Sequence, residues 1–120
     1  MASIETRSMD APDETRTPDK TMVSVVHLGG ATVARITAQP GWRWSECIKP
    51  VVGTESCQAA HLGYVVSGRI HIAHTDGTET DLGAGEAYRI DPGHDAWVLG
   101  DEPLVALEFE TKTAETYAKG

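Results

Sequence analysis

The chain has 120 residues, 40% of them hydrophobic, and a net charge of −8 from 18 acidic against 10 basic residues. That length suits one domain around one core. An acidic surface without any Lys or Arg cluster repels phosphate backbones and anionic lipids, so neither nucleic acid nor a membrane is an expected partner. Residues 1–20 carry five acids, two prolines and almost no bulky apolar side chain. They are expected to be disordered or loosely attached. They lack the apolar stretch and cleavage site of a signal peptide, and no apolar run approaches the ~20 residues of a membrane helix. The expected location is the cytoplasm, where Cys47 and Cys57 are thiols rather than a disulfide.

From Thr21 the texture changes to short β-type runs punctuated by turns. MVSVVHL (22–28) ends at Gly29-Gly30, and ATVARITA (31–38) ends at Pro40-Gly41. GWRW (41–44) is expected to open a further strand, followed by the turn-rich KPVVGTES. GYVVS (63–67) and RIHIAH (69–74) flank Gly68, and Thr75-Asp76-Gly77 supplies a hairpin turn suited to positive φ. TETDL, AYRI (87–90), AWVL (96–99) and LVALEFE (104–110) complete the series. Strands of this length with turns every 8–12 residues predict an all-β sandwich or barrel over residues 21–112. Residues 113–120 form a C-terminal tail. Gly83-Ala84-Gly85 is not a dinucleotide-binding loop, because no third glycine and no helical periodicity follow it.

Several of these segments resemble the cupins over about residues 23–110. The family's first motif has His-x-His, then Glu, then Gly seven residues on. Gly68 in YVVSGRI matches the closing glycine, His61 stands at the place of the Glu, Cys57 at the second His and Glu55 at the first. The second motif runs from Gly85 through EAYRI to Asp91-Pro92-Gly93. Its final His falls on His94 when counted back from the turn Gly100-Asp101-Glu102-Pro103, with two residues deleted from the preceding turn. The resemblance is nearest to small single-domain bacterial cupins with segments like PGWRWSE, GYVVSGR and PGHDAWVLGDEP. It implies a double-stranded β-helix (jelly-roll) barrel with a metal site at its centre. Function is not implied, since the family spans dioxygenases, isomerases and non-catalytic binding domains.

Read as chemistry, a thiolate, two imidazoles and a carboxylate suit Zn²⁺ best, with iron or nickel also compatible. Cys57, His61, His94 and Glu55 are therefore the candidate ligands. Against this stands the ordinary role of a buried Cys or His as packing. Cys47 competes for the fourth place. If residues 42–48 form a regular strand, Trp42, Trp44 and Glu46 share the inward face and Cys47 turns away as a packing or surface thiol. Trp42, Trp44, Tyr64 and Trp97 are candidate walls of a ligand pocket, with core filling as the competing role. Asp95 is a weak candidate for orienting His94 or acting as a base. His27, His71 and His74 are assigned to structural or surface roles, as are Arg43 and Lys49.

The expected function is a metal-dependent enzyme of dioxygenase, isomerase or lyase type acting on a small oxygenated or carboxylate molecule. A non-catalytic ligand- or metal-sensing domain and a closed structural zinc site are the alternatives. Ligand count separates them, since three protein ligands leave an open position and four close it. A homodimer is expected from the resemblance and from the need to cover edge strands.

Overall fold

The computed structural model describes residues 3–57 and 60–109. Nine strands follow one another as β1 (Glu14–Arg16), β2 (Thr21–Leu28), β3 (Ala31–Ala38), β4 (His61–Ser67), β5 (Arg69–His74), β6 (Glu79–Gly83), β7 (Ala87–Ile90), β8 (His94–Leu99) and β9 (Leu104–Phe109). Two helical turns, α1 (Trp44–Cys47) and α2 (Lys49–Val52), lie between β3 and β4. One sheet has the order β1-β2-β3-β9-β4-β7, and the other β6-β5-β8. Every pairing is antiparallel. The two sheets enclose an apolar interior and form the all-β jelly roll.

Period-two alternation decides which side chains enter that interior. In β4, His61, Gly63 and Val65 are buried whereas Leu62, Tyr64 and Val66 are exposed. In β8, His94, Ala96 and Val98 are buried, and in β9, Leu104, Ala106 and Glu108. Ile70 and Ile72 of β5, beside β8 in the second sheet, share the same core.

Two expectations are corrected here. Part of the N-terminal tail is not loose, because Glu14–Arg16 pairs with Val23–Val25 of β2. Asp13 extends this pairing by accepting from His27 N at 2.8 Å, and Asp10 meets Arg35 at 3.0 Å. The physical reason is that β2 would otherwise present an unpaired edge, which even a three-residue strand covers. The strand expected from Trp42 onward is instead two helical turns. Cys47 N and Ile48 N donate to the carbonyls of Arg43 and Trp44 at 2.8 and 2.9 Å. Gly53 closes the second turn in the left-handed region at φ 76°. Helical spacing then buries Trp44, Cys47 and Ile48 together, where strand parity would have separated Trp44 from Cys47.

Gly68, between β4 and β5, has φ 82°, and a Cβ there would stand 2.4 Å from the Pro103 carbonyl oxygen. That neighbour is backbone and has little room to retreat. Gly68→Ala is therefore expected to destabilise the protein by about 1–3 kcal/mol, read as a lower urea midpoint at unchanged m-value. An unchanged midpoint would show that the β4–β5 corner yields freely.

Candidate metal centre

Three chain segments bring the cluster together. Cys57 lies just before β4 and forms an isolated antiparallel bridge with His94. Its N–H donates to the His94 carbonyl at 2.7 Å, and its carbonyl accepts from Gly93 N at 2.6 Å. This ties the thiol to the turn that opens β8. His61 and His94 are the first residues of β4 and β8, both in the inward phase. All three are buried, and their ligand atoms lie within 4.8 Å of one another. Among the described residues this is the one group of three or more potential ligands so assembled.

The second nitrogen of each imidazole is tied down. His61 Nδ1 lies 2.7 Å from Glu108 Oε1, and Glu108 Oε2 accepts from the Tyr88 hydroxyl at 2.6 Å. An ionised carboxylate only accepts, so His61 Nδ1 carries the proton. His94 Nδ1 lies 2.9 Å from the Asp91 carbonyl oxygen, which again makes Nδ1 the donor. Both rings thereby reserve Nε2 for the cluster, the arrangement in which a metal-binding His is oriented by an outer acceptor. Cys57 Sγ stands 3.5 Å from His61 Nε2. With Zn–S near 2.3 Å and Zn–N near 2.1 Å, a tetrahedron has an S···N edge of about 3.6 Å. The donor set and the one measured edge both fit a divalent metal of this kind.

Electrostatics reinforce the pairing. Burial pushes the Cys57 thiol up, but hydrogen bonding to His61 and His94 and their charge outweigh it, and its pKa falls to about 6. Burial pushes His61 down, yet the Glu108 charge and the bonds to Cys57 and Glu108 raise it to about 10. The metal-free pair is thus held as thiolate and imidazolium near neutral pH.

The remaining expected site residues lie elsewhere. Glu55 is corrected: the chain bends before Cys57, and the Glu55 side chain is almost fully exposed beside Lys49 Nζ at 3.1 Å. Cys47 packs in the core with its Sγ 3.8 Å from Asp19 Oδ2, and burial raises its pKa. It belongs to no ligand cluster, and the closed four-ligand set is not assembled among the described residues. Asp95 is also corrected. It follows His94 and so faces the opposite side of β8, where it accepts from Ser45 N at 3.1 Å and meets Arg43 at 3.4 Å.

Of the four aromatic candidates, Trp42 and Trp44 line the central cavity. Tyr64 points out of the barrel, because it is one residue out of phase with His61. Trp97 lies on the outer face of β8, stacked on His71 with centroids 4.6 Å apart and covered by the Arg43 guanidinium. His71 is held there by Asp81 and Glu79, which raise its pKa through hydrogen bonds. Glu108 and Tyr88 were not anticipated. The available signal was Glu108 itself, an acid in the inward phase of the apolar run Leu104, Ala106.

Residues 52–110 match the model of the cupin domain family. None of the curated proteins matches the chain. A Rhizobium leguminosarum protein of unknown function has a similar structure, with a TM-score of 0.64 and 18% identity over 90% of this chain and 96% of its own. An RmlC-like cupin from Shewanella frigidimarina superposes with a TM-score of 0.59 and 16% identity, covering 87% of each chain. An oxalate decarboxylase from Lactobacillus farciminis, in a formate complex, gives 0.55 and 20% identity over 78% of this chain and 30% of its own. At these identities the likeness concerns the fold. Taken with the matched family model and the inward placement of both motif histidines, it makes this chain a small domain of the cupin superfamily.

Proposed function

We propose that Cys57, His61 and His94 hold a divalent metal, zinc by preference of the donor set, at an open site that acts on a small oxygenated molecule. The observation that carries this reading is the convergence of one buried thiol and two buried imidazoles whose Nδ1 atoms are both already bonded. Three protein ligands would leave a coordination position open, the pattern of catalytic rather than structural sites. A metal there supplies Lewis acidity to a bound oxygen. Glu108 fixes the His61 ring and is itself held by the Tyr88 hydroxyl at the cavity wall.

The test is elemental analysis of protein purified without added metal, followed by zinc titration of the metal-free form. One zinc per chain is expected, and a protein that takes up none with high affinity would overturn the reading. The pKa shifts add a sign. Between pH 6 and 10 the metal-free Cys57 is already a thiolate while His61 keeps its proton. Zinc must displace that one proton, so affinity is expected to rise about tenfold per pH unit from pH 7 to 9. Below pH 6 Cys57 also protonates and the slope steepens. Calorimetry in buffers of different ionisation enthalpy reads the proton count directly.

A second reading is favoured by one alignment. Cys57 Sγ, His61 and Glu108 Oε1 follow one another at 3.5 and 2.7 Å in the order nucleophile, base and orienting carboxylate. A protein that takes up no zinc, yet whose Cys57 is alkylated by iodoacetamide at pH 7, would favour this reading over the metal centre.

A further inference from the structure

Two turns meet beside the metal centre. Thr75-Asp76-Gly77 follows β5, and Asp91-Pro92-Gly93 precedes β8. His74, the last residue of β5, stands opposite His94 in the β5–β8 register. Its side chain is half-buried, and its ring is fixed on both sides. Asp76 N donates to Nδ1 at 3.0 Å, and Nε2 lies 2.9 Å from the Pro92 carbonyl oxygen. A carbonyl oxygen only accepts, so Nε2 carries a proton and donates it to that bond.

The Pro92 carbonyl and the Gly93 N–H belong to one peptide unit, which is planar and points the two groups in opposite directions. Gly93 N donates in turn to the Cys57 carbonyl at 2.6 Å. His74 and Cys57 therefore grip opposite ends of one rigid plate, with no rotatable bond between their hydrogen bonds. Hydrogen bonds in such a chain polarise one another, so the donor at Pro92 strengthens the bond at Cys57. The flanking carbonyls are engaged as well. Asp91 O accepts from His94 Nδ1, and Gly93 O accepts from Thr75 N, each at 2.9 Å. The turn thus touches two of the three metal-ligand candidates, Cys57 through Gly93 and His94 through Asp91. It also has little room to shift toward β5. Gly93 has φ 100°, and a Cβ there would stand 3.1 Å from Thr75 Oγ1 and 3.5 Å from two atoms of the His74 ring.

We infer that His74 is a positioning residue of the metal centre. By donating from Nε2 to the Pro92 carbonyl, it fixes the peptide unit that holds Cys57 and the Asp91 carbonyl that keeps the proton of His94 on Nδ1. This deepens the metal-site reading and rests on it for zinc affinity alone, since the form of the His94 ring is a property of the metal-free protein too.

Glutamine and asparagine separate the donor from the ring. His74→Gln brings an amide N–H close to the place of Nε2, whereas His74→Asn reaches only the place of Nδ1 and leaves Pro92 without that donor. The zinc dissociation constant is expected to rise about fivefold to tenfold in His74→Asn and to stay within about twofold in His74→Gln, in line with one hydrogen bond. The loss is smaller than the roughly tenfold to hundredfold of a group bonded directly to a ligand, because His74 acts through the turn. The ring ¹⁵N resonances of the metal-free protein, recorded at mildly alkaline pH, give the second readout. The His94 ring is expected to be wholly in the Nδ1–H form in wild type and His74→Gln, and to show a mixture of both tautomers in His74→Asn. A role in packing alone would lower the urea midpoint of both variants and leave the His94 ring as in wild type. Wild-type zinc affinity in His74→Asn, or an unchanged His94 ring, would overturn the proposal. So would a tenfold loss of zinc affinity in His74→Gln, whether or not His74→Asn folds. If the wild type takes up no zinc, the metal reading falls and the His94 ring alone decides this one.

Discussion

Replacing His94 by alanine is expected to lower zinc affinity by about two to three orders of magnitude, and Cys57→Ala by a similar factor. A protein zinc site contributes about 10–16 kcal/mol spread over four ligands, so one ligand accounts for about 3–4 kcal/mol, or 10²–10³ in the dissociation constant. Neither position has a substitute among the described residues, because the cluster contains three potential ligands and Glu55 is paired with Lys49 in solvent. Competition with a chromophoric chelator gives the affinity, and far-ultraviolet circular dichroism checks that each variant folds. Cys57→Ser serves where alanine leaves too large a void beside the His61 ring. Cys47→Ala is the control: its sulfur lies against Asp19, so zinc affinity is expected to stay within about twofold while packing is weakened. Equal zinc affinity in wild type, Cys57→Ala and His94→Ala would remove these residues from the metal site. A loss in Cys47→Ala as large as in Cys57→Ala would restore the closed structural site.

The barrel was legible because its strands obey one rule. β4, β5, β8 and β9 alternate cleanly, and glycine-rich turns separate them, so periodicity and punctuation agree. Fixing His61 and His94 as inward also fixes their neighbours. That parity sends Tyr64, Asp95 and Trp97 outward, which means their placement followed from the sequence once the two histidines were accepted. Residues 42–48 obey two rules at once. Trp42, Trp44 and Glu46 recur every second residue, while Trp44, Cys47 and Ile48 recur at helical spacing. Local pattern does not choose between those periods. The choice is made by tertiary contacts, including Val98 N donating to the Trp42 carbonyl at 3.0 Å. Glu55 was misplaced for a related reason, since a match to the first motif position brings its side chain beside Cys57 only where the chain between them is extended. Glu108 lay outside the motif altogether, brought to His61 by the β4–β9 pairing of Gly63 with Glu108. Contacts 47 residues apart in sequence depend on topology, which a motif read in one stretch of chain does not contain.

Glu108 carries the largest expected effect on the folded state. Its carboxylate is buried and accepts from His61 Nδ1 and the Tyr88 hydroxyl, so Glu108→Ala removes the acceptor of both and the charge partner of a buried imidazolium. Breaking such a pair from one side costs about 3–5 kcal/mol. The sign with pH separates charge from packing. The Glu108 charge is the largest of the influences that raise His61. With a folded pKa near 10 against an unfolded value near 6.5, that interaction is fully present below pH 6.5 and is lost as pH rises through 10. Cys57 has the opposite sign, its folded pKa of about 6 lying below the ordinary 9. The two slopes offset each other between about pH 6.5 and 9, because the proton that leaves the thiol stays on the imidazole. Metal-free wild type is therefore expected to show a flat stability profile across that range. In Glu108→Ala the His61 pKa falls and the profile slopes upward with pH, since the Cys57 contribution is no longer offset. Glu108→Gln keeps an acceptor for His61 and removes the charge. It is expected to retain most of the stability while weakening zinc affinity about tenfold to a hundredfold through the less basic His61 ligand. Chemical denaturation from pH 6 to 9 and zinc titration of both variants read these effects. Wild-type stability and affinity in Glu108→Ala would reduce Glu108 to a bystander on the cavity wall.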